Sequence, residues 1–377
     1  MSARSIEDLH VDCLYYIFEY LSPDDRVTFA QVCQRFRQVF INQFSMKYRE
    51  FTIDKDSARH ELIQFCICRE AVESLTIDLD HFDTARCFRT YGCEAPVNCF
   101  AILYQTLTGM IGLENLVVKQ LSMLVTPVVK PFDQILTAVR HLPELKRLEI
   151  HAKDDCSVDR LTQLQHLEEI KILIPRLPTP ILVKCCKSNG NIRSLHLGYS
   201  CVQKNLRDIV PHCKNLEVLK FGMSAKSSEY LPLARLPKLR ELSYSGIRKS
   251  GSFEPLLSAL AVKSQLTHLS IEGGSLTLQE TCQLVRIQSL RNLKCFCSET
   301  ECVEMLACLA NLEELCLSMF RPLDISNSLL PIIANCKNMK LLRIAVGNVD
   351  ANFVNNAIRL HKTGEKDNSS MVMVVDK

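Results

Sequence analysis

Apolar residues return along most of this chain in one short arrangement, with anchors at positions i, i+3 and i+5. The last two anchors have the two-residue spacing of a strand that buries one of its faces. Four longer runs, at 177–187, 253–263, 276–288 and 327–335, have helical spacing. The pattern therefore predicts short strands that alternate with helices or turns. Its eleven copies are Val72-Leu75-Ile77, Leu113-Leu116-Val118, Leu145-Leu148-Ile150, Leu167-Ile170-Ile172, Ile192-Leu195-Leu197, Leu216-Leu219-Phe221, Leu239-Leu242-Tyr244, Leu266-Leu269-Ile271, Leu293-Phe296, Leu312-Leu315-Leu317 and Met339-Leu342-Ile344.

The spacing between copies identifies the type of repeat. From Leu145 onward the copies begin 22, 25, 24, 23, 27, 27, 19 and 27 residues apart. Leucine-rich repeats have about 20–29 residues per unit, and one unit cannot bury its apolar face alone. We therefore predict an α/β leucine-rich-repeat solenoid, a horseshoe with parallel strands on its concave face and helices on its convex face. The segment Cys213-Lys214-Asn215-Leu216 resembles the cysteine-containing class of these repeats, which implies that the thiol fills a tight inner position.

Both ends of the repeat array are irregular. The first two copies are 41 residues apart, and the excess falls in a polar stretch at 81–98, which is either a partner-binding loop or an untidy first repeat. Residues 45–70 form a linking helix or a partial repeat, without a flexible tether. At the other end, Met371 to Val375 is either a last strand or an exposed apolar tail.

The first forty residues have a different pattern. Leu14, Ile17, Phe18 and Leu21 line one face of a helix, and Ser22-Pro23-Asp24-Asp25 has the residues that favour the start of another. Apolar residues with helical spacing continue to Phe40. Three helices of this size cannot bury so many apolar groups among themselves, so the surplus faces a partner. The alternative is a small helical cap that only seals the next domain.

This segment resembles the F-box, a three-helix docking module. The matching residues are Leu9, the helix around Ile17 and Leu21, the turn at 22–25 and the segment 32–37. His10 stands where the family usually has proline, which leaves the entry of the first helix open. The resemblance implies a docking surface for a Skp-type adaptor that is built or presented by Leu9, His10, Leu14, Ile17, Phe18, Leu21, Pro23, Val32, Cys33 and Phe36. The predicted domains are the F-box at 1–45, a linking helix and irregular first repeats at 46–112, the regular solenoid at 113–360 and a tail at 361–377.

Composition excludes several classes of protein. The chain has 377 residues, 47% hydrophobic residues and a formal charge of +3, too little positive charge to indicate nucleic-acid binding. No apolar run has the roughly 20 residues of a membrane helix, and the acidic N-terminus is unlike a signal or transit peptide. We therefore expect a cytoplasmic or nuclear protein. Its nineteen cysteines are then reduced thiols that act as small hydrophobic residues.

Motifs for chemistry are missing from the sequence. No C-x-x-C pair starts a zinc site, and no phosphate-loop, dinucleotide, nucleophile-elbow or H-E-x-x-H motif occurs. We expect no catalytic residue, no metal and no cofactor, and hence a protein that is not an enzyme.

Charged residues on the predicted concave face are the candidates for binding a target. The residue between the two strand anchors points outward, and this middle column runs from Glu149 through Lys171, His196 and Lys220 to Cys297, Cys316 and Arg343. Lys171, His196 and Lys220 would form a cationic ladder for an acidic or phosphorylated segment, whereas the alternative is an ordinary solvated charged face. The full candidate set is Arg147, Glu149, His151, Lys171, His196, Lys220, Glu272, Glu299 and Glu314.

Proteins that join an F-box to leucine-rich repeats are substrate receptors of SCF-type ubiquitin ligases. The resemblance implies docking on a Skp-type adaptor and, through it, on a cullin–RING scaffold, while the repeats hold an unknown target protein for ubiquitination. Two alternatives stay open: an interaction scaffold without ubiquitin transfer, and a solenoid that senses a small molecule.

Overall fold

The computed structural model describes most of the chain, in two compact units of residues 1–174 and 175–377. The described residues are 6–57, 59–82, 99–120, 131–153, 156–199, 201–202, 206–222, 229–246, 252–319, 321–350, 352–363 and 371–376. Most of the predicted inserted loop at 81–98 therefore lies outside them.

The N-terminal segment folds into the three predicted short helices, α1 (Val11–Tyr20), α2 (Pro23–Val32) and α3 (Gln34–Phe44). Each begins after a residue in extended conformation whose side chain accepts a hydrogen bond from the first turn. Ser22 accepts from the backbone N–H of Asp25 at 3.2 Å, and Cys33 Sγ accepts from that of Phe36 at 3.5 Å. Such caps satisfy backbone donors that the helix leaves without a partner, so local sequence sets all three helix starts.

An aromatic cluster holds the three helices together. The fully buried ring of Phe18 lies 5.1 Å from that of Phe29 and 5.7 Å from that of Phe40, and Phe29 stacks on Phe36 at 4.3 Å. Arg26 on α2 closes the end of α1, because its guanidinium donates to the carbonyl oxygens of Phe18 and Glu19 at 2.7 and 3.0 Å. The module therefore has its own core.

A partial repeat joins the helices to the first strands. It comprises a 3-10 turn (Ser45–Tyr48), β1 (Glu50–Ile53) and α4 (Arg59–Ile67), of which α4 packs on α2. The side chain of Gln64 on α4 accepts a hydrogen bond from the buried Tyr48 hydroxyl and donates to the carbonyl oxygen of Pro23 at 3.0 Å. The segment therefore contains both a strand of the sheet and a helix that contacts α2.

The first unit continues with four strands that run parallel to β1 in chain order: β2 (Ser74–Asp78), β3 (Asn115–Gln120), β4 (Arg147–Ala152) and β5 (Glu169–Leu173). The predicted anchors are in register, since Leu75, Leu116, Leu148 and Ile170 occupy equivalent positions. The connections include α5 (Cys99–Thr108), α6 (Pro131–Val139) and a 3-10 turn (Asp159–Gln163).

The second unit has eight parallel strands, also in chain order: β6 (Ser194–Tyr199), β7 (Val218–Gly222), β8 (Glu241–Tyr244), β9 (His268–Leu276), β10 (Asn292–Cys297), β11 (Glu314–Met319), β12 (Leu341–Ala345) and β13 (Val372–Asp376). Its described helices are α7 (Thr179–Ser188), α8 (Glu254–Ala261), α9 (Leu278–Leu284), α10 (Thr300–Met305), α11 (Ser326–Asn335) and α12 (Phe353–Thr363). Strand β13 pairs with β12, so the apolar segment near residue 371 is a strand. The parallel α/β repeat architecture confirms the predicted fold class.

One predicted copy was wrong in register. The anchors of β10 are Leu293 and Cys295, which pair with Leu269 and Ile271 on β9, and Phe296 is only half-buried. The copy therefore starts at Leu290, and the spacings of 27 and 19 residues become 24 and 22. The error arose because a cysteine fills an anchor position as a small hydrophobic residue. Lys294, not Cys297, stands in the middle column, opposite Ser270 and Cys316.

A column of charged residues runs along the turns that enter the strands. It contains the residue after the first anchor of each repeat, and within each unit the backbone N–H of that residue donates to the carbonyl oxygen of its counterpart in the preceding repeat at 2.7–2.9 Å. The charges alternate for long stretches, and Glu313 pairs with Arg291 at 2.9 Å and with Lys340 at 2.5 Å. We call this set the charge column; it comprises Glu73, Glu114, Lys146 and Glu168 in the first unit, and Arg193, Glu217, Arg240, Thr267, Arg291, Glu313 and Lys340 in the second.

Candidate functional site

The outer surface of α1 carries an arc of apolar and aromatic side chains. With about 100° per residue, the buried Leu14 and Phe18 define the inner face. Half-buried Leu21 and Ile17 lie beside that face, and exposed Cys13, Tyr20 and Tyr16 follow around the helix. The side chains of Tyr16 and Tyr20 are 65% and 88% exposed. A face this apolar on a short helix is typical of a surface that a partner covers. We call these residues, Leu21, Ile17, Cys13, Tyr20 and Tyr16, the α1 arc.

The residues predicted from the F-box pattern divide into two groups. Leu14, Phe18 and Phe36 are buried in the module's core, where they support the residues that form its surface. The others reach that surface: Leu9, Ile17, Leu21 and Cys33 are half-buried, and His10, Pro23 and Val32 are exposed.

His10 occupies the position where the F-box pattern has proline. Its φ of −61° lies in the range that a proline ring imposes. It caps α1, since Nδ1 accepts from the backbone N–H of Asp12 at 3.5 Å and lies 3.1 Å from the Asp12 carboxylate. The helix entry therefore keeps the backbone conformation that proline would give.

Sequence reasoning missed three members of the α1 arc, Cys13, Tyr16 and Tyr20. Their signal was present, because they extend the apolar positions of α1 beyond one face. An F-box pattern read position by position does not include them.

On the strand face of the first unit, one carboxylate gathers the predicted charges. Glu149 on β4 accepts hydrogen bonds from Lys171 on β5 at 2.9 Å and from His151. Burial acts to raise the pKa of Glu149, but the bonds from Lys171 and His151 outweigh it and lower that pKa. Arg147 pairs with Glu169 at 3.1 Å. The positive charge of Lys171 is therefore neutralised by the Glu149 carboxylate on the neighbouring strand.

The strand face of the second unit is balanced in the same way. Lys220, which lies opposite His196 in register, pairs with Glu241 at 2.7 Å, and Lys294 pairs with Glu272 at 3.1 Å. Glu314 is half-buried on β11. Glu299 lies outside the strand, at the N-cap of α10, so its predicted place on the strand face was wrong. These pairs leave little excess charge on either strand face.

Among the cysteines whose burial the structure describes, most are buried in the repeats. Burial raises the pKa of Cys185 and Cys336, to about 12 and about 11. The thiol of Cys336 donates to the carbonyl oxygen of Leu309 at 3.2 Å, the inner role that the repeat class implies. Thiols with raised pKa values are poor nucleophiles and poor metal ligands. In the described part of the chain, no three potential metal-ligating side chains of His, Cys, Asp or Glu form a group.

No helix among the described residues combines the length and apolar character needed to cross a membrane.

Comparison with known protein families gives a match for the helical module. The family model of the F-box domain matches residues 6–45. No curated protein sequence matches the chain. Among solved structures, an internalin of Listeria monocytogenes aligns with 72% of this chain and 76% of its own at 12% identity and a TM-score of 0.42. A leucine-rich-repeat protein of Leptospira interrogans aligns with 81% of this chain and 91% of its own at 13% identity and a TM-score of 0.32.

Proposed function

We propose that this F-box and leucine-rich-repeat protein is the substrate-recognition subunit of an SCF-type ubiquitin ligase in the cytoplasm or nucleus. The α1 arc carries the proposal, because it leaves apolar and aromatic surface uncovered on a module that already has a core of its own. A Skp-type adaptor would cover that surface. The repeats would bind the target protein.

The proposed mechanism is proximity. The adaptor connects the F-box to a cullin–RING scaffold that carries the ubiquitin-charged enzyme, and the repeats hold the target nearby. A bimolecular transfer then becomes effectively intramolecular, which favours reaction without any reacting group from the receptor. The contact between α4 and α2 supports this role, since it ties the first repeats to the docking module through Gln64 and the Pro23 carbonyl oxygen.

Adaptor capture by purified protein tests the docking half. Ile17→Asp combined with Leu21→Asp places two charges on the α1 arc and should abolish capture. A matched control, Ile111→Asp with Val262→Asp, changes two exposed apolar residues outside the module, 61% and 82% exposed, and should bind normally. Full capture by the first variant would refute the docking assignment.

Single substitutions separate docking from folding. Tyr20 lies nearer to Ile17 on the α1 arc than Tyr16 does and is the more exposed of the two, so Tyr20→Asp should weaken capture at least tenfold and Tyr16→Asp less. Both residues are exposed, so the melting temperature should not change. An effect on melting without an effect on capture would contradict the proposed surface.

A second experiment tests whether bound target proteins are ubiquitinated and degraded. Proximity labelling with and without proteasome inhibition should reveal partners that accumulate only when degradation is blocked. If every partner keeps its lifetime when this chain is removed, the protein is an interaction scaffold instead.

A further inference from the structure

Positive charge is concentrated in one part of the second unit. Residues 175–263 contain fifteen lysines and arginines but five aspartates and glutamates, a formal charge of +10. The chain as a whole has +3, so the remainder has −7. Such segregation produces a local positive field that a uniformly mixed surface would not have.

Five of these cations lie where the chain approaches strands β6 to β9, one in the last turn of α7 and four in the turns that precede β7, β8 and β9. They are all exposed, and we call them the basic edge: Lys187, Lys214, Lys238, Arg240 and Lys263. The strands are parallel, so these turns meet at one edge of the unit. Side-chain bonds connect the turns directly. Asn215 donates to the carbonyl oxygen of Gly190 at 3.1 Å, Lys238 donates to Asn215 Oδ1 at 2.7 Å, and Lys263 donates to the carbonyl oxygen of Leu236 at 3.1 Å.

The basic edge differs from the strand face in how its charges are compensated. Lys220 on the strand face has Glu241 at 2.7 Å. Within the described residues, by contrast, none of the five cations of the basic edge forms an ion pair with a carboxylate. Half-buried Glu217 is the acidic residue of the charge column here, between Arg193 and Arg240. Because this one carboxylate cannot neutralise five cations, the basic edge is strongly cationic.

The dimensions of the basic edge suit a short extended segment. Neighbouring strands are about 4.8 Å apart, so the four turns span about 15 Å. An extended chain covers that length with about five residues. A duplex nucleic acid would need a longer series of phosphate contacts for appreciable affinity. Single-stranded nucleic acid would need stacking aromatics, and Tyr199 is the one exposed aromatic residue of the described part of this segment.

We infer that the basic edge binds an acidic segment of the target protein, a short run of aspartate and glutamate. This rests on the proposed function, in which the repeats hold the target. It moves the recognition of acidic residues from the strand face, where Lys171 and Lys220 already have partners, to the turns beside it.

A labelled octaglutamate peptide is a suitable probe for the full-length chain. The test variant combines Lys187→Glu, Lys214→Glu and Lys238→Glu. The matched control combines Lys55→Glu, Lys153→Glu and Lys337→Glu, which are exposed lysines outside the segment and change the net charge equally. The dissociation constant at low salt should rise at least tenfold for the test variant and less than twofold for the control, with melting and adaptor capture unchanged.

Three outcomes would overturn the inference. Equal weakening by both variants would mean that net charge alone governs binding, and unchanged binding by the test variant would place the peptide elsewhere. A 20-base-pair DNA duplex that binds more tightly than the peptide, and is lost in the test variant, would make the ligand a nucleic acid. Adaptor capture is measured on the same samples. A failure of the docking assignment is therefore distinguishable from a failure of the basic edge.

Discussion

The carboxylate of Glu280 accepts a hydrogen bond from the backbone N–H of Phe253, one repeat earlier, at 2.7 Å. The same side chain accepts from the hydroxyl of Ser252 at 3.0 Å and from the backbone N–H of Thr277 at 2.9 Å. Glu280 is fully buried, and it satisfies donors at the beginnings of both α8 and α9. One acid thus connects two neighbouring repeats.

Removing that acid should be costly. Glu280→Ala leaves three donors without a partner and should lower the free energy of unfolding by about 3 kcal/mol. Glu280→Gln keeps an acceptor oxygen and should cost about 1 kcal/mol. Urea unfolding measures both, with Glu301→Ala, an exposed acid in the first turn of α10, as the control. Equal midpoints for Glu280→Ala and the control would contradict the assigned role.

A close backbone contact makes a second site intolerant of change. A Cβ on Gly273 would lie 1.4 Å from the carbonyl oxygen of Gly246 on the neighbouring repeat, whereas a Cβ on Gly190 would meet nothing within 4 Å. Gly273→Ala should therefore destabilise the protein by about 2 kcal/mol or more through forced backbone shifts. Gly190→Ala should be neutral or slightly stabilising. Thermal melting of the pair is the measurement, and similar melting points would show that the contact is not tight.

The charge column gives a prediction about pH. Hydrogen bonds, first from Lys340 and then from Arg291, lower the pKa of Glu313 despite its partial burial. A lowered folded-state pKa stabilises the protein above the unfolded pKa of about 4.3, and that contribution is lost as the pH falls through the folded value. Glu313→Gln should therefore unfold at lower urea than the parent at pH 7, with the gap closing towards pH 3. A gap that persists at pH 3 would contradict the ion pairs.

His10 gives a prediction about the helix entry. Because its φ is already −61°, His10→Pro should fold normally and keep adaptor capture within twofold. Tyr15→Pro, in the interior of α1, should instead break the helix at a cost of about 3 kcal/mol. Circular dichroism and adaptor capture check both. A loss of helix in His10→Pro would mean that the histidine cap is required.

Much of the architecture could be predicted because the spacing of the apolar anchors determines the positions of the strands. Leu148 and Leu195 stand at spacings that leave one buried face per strand, and Ser22 and Pro23 signal a helix start through their own chemistry. The register of β10 could not be predicted from leucine spacing, since Cys295 fills the anchor. Its identity as an anchor depends on its neighbours, not on its own residue type.

The binding surfaces were less predictable, for a related reason. Lys171 and Lys220 are cations in the sequence, but their charges are compensated by Glu149 and Glu241 on adjacent strands. Such pairing depends on strand register and on the direction of long side chains, which a single repeat does not reveal. Lys214 and Lys238 have no such carboxylate partner within the described residues, and that difference emerges only when the repeats are placed side by side.

The charge column also restricts how this chain can change its length. In the second unit the charges of this column alternate in sign on either side of the uncharged Thr267, so deletion of the repeat that contains Glu313 would bring Arg291 beside Lys340. Like charges at that spacing repel one another. Gain or loss of two consecutive repeats would preserve the alternation, whereas gain or loss of one would break it, except beside the uncharged Thr267. The turns therefore favour the gain or loss of an even number of repeats, in addition to setting the length of each repeat.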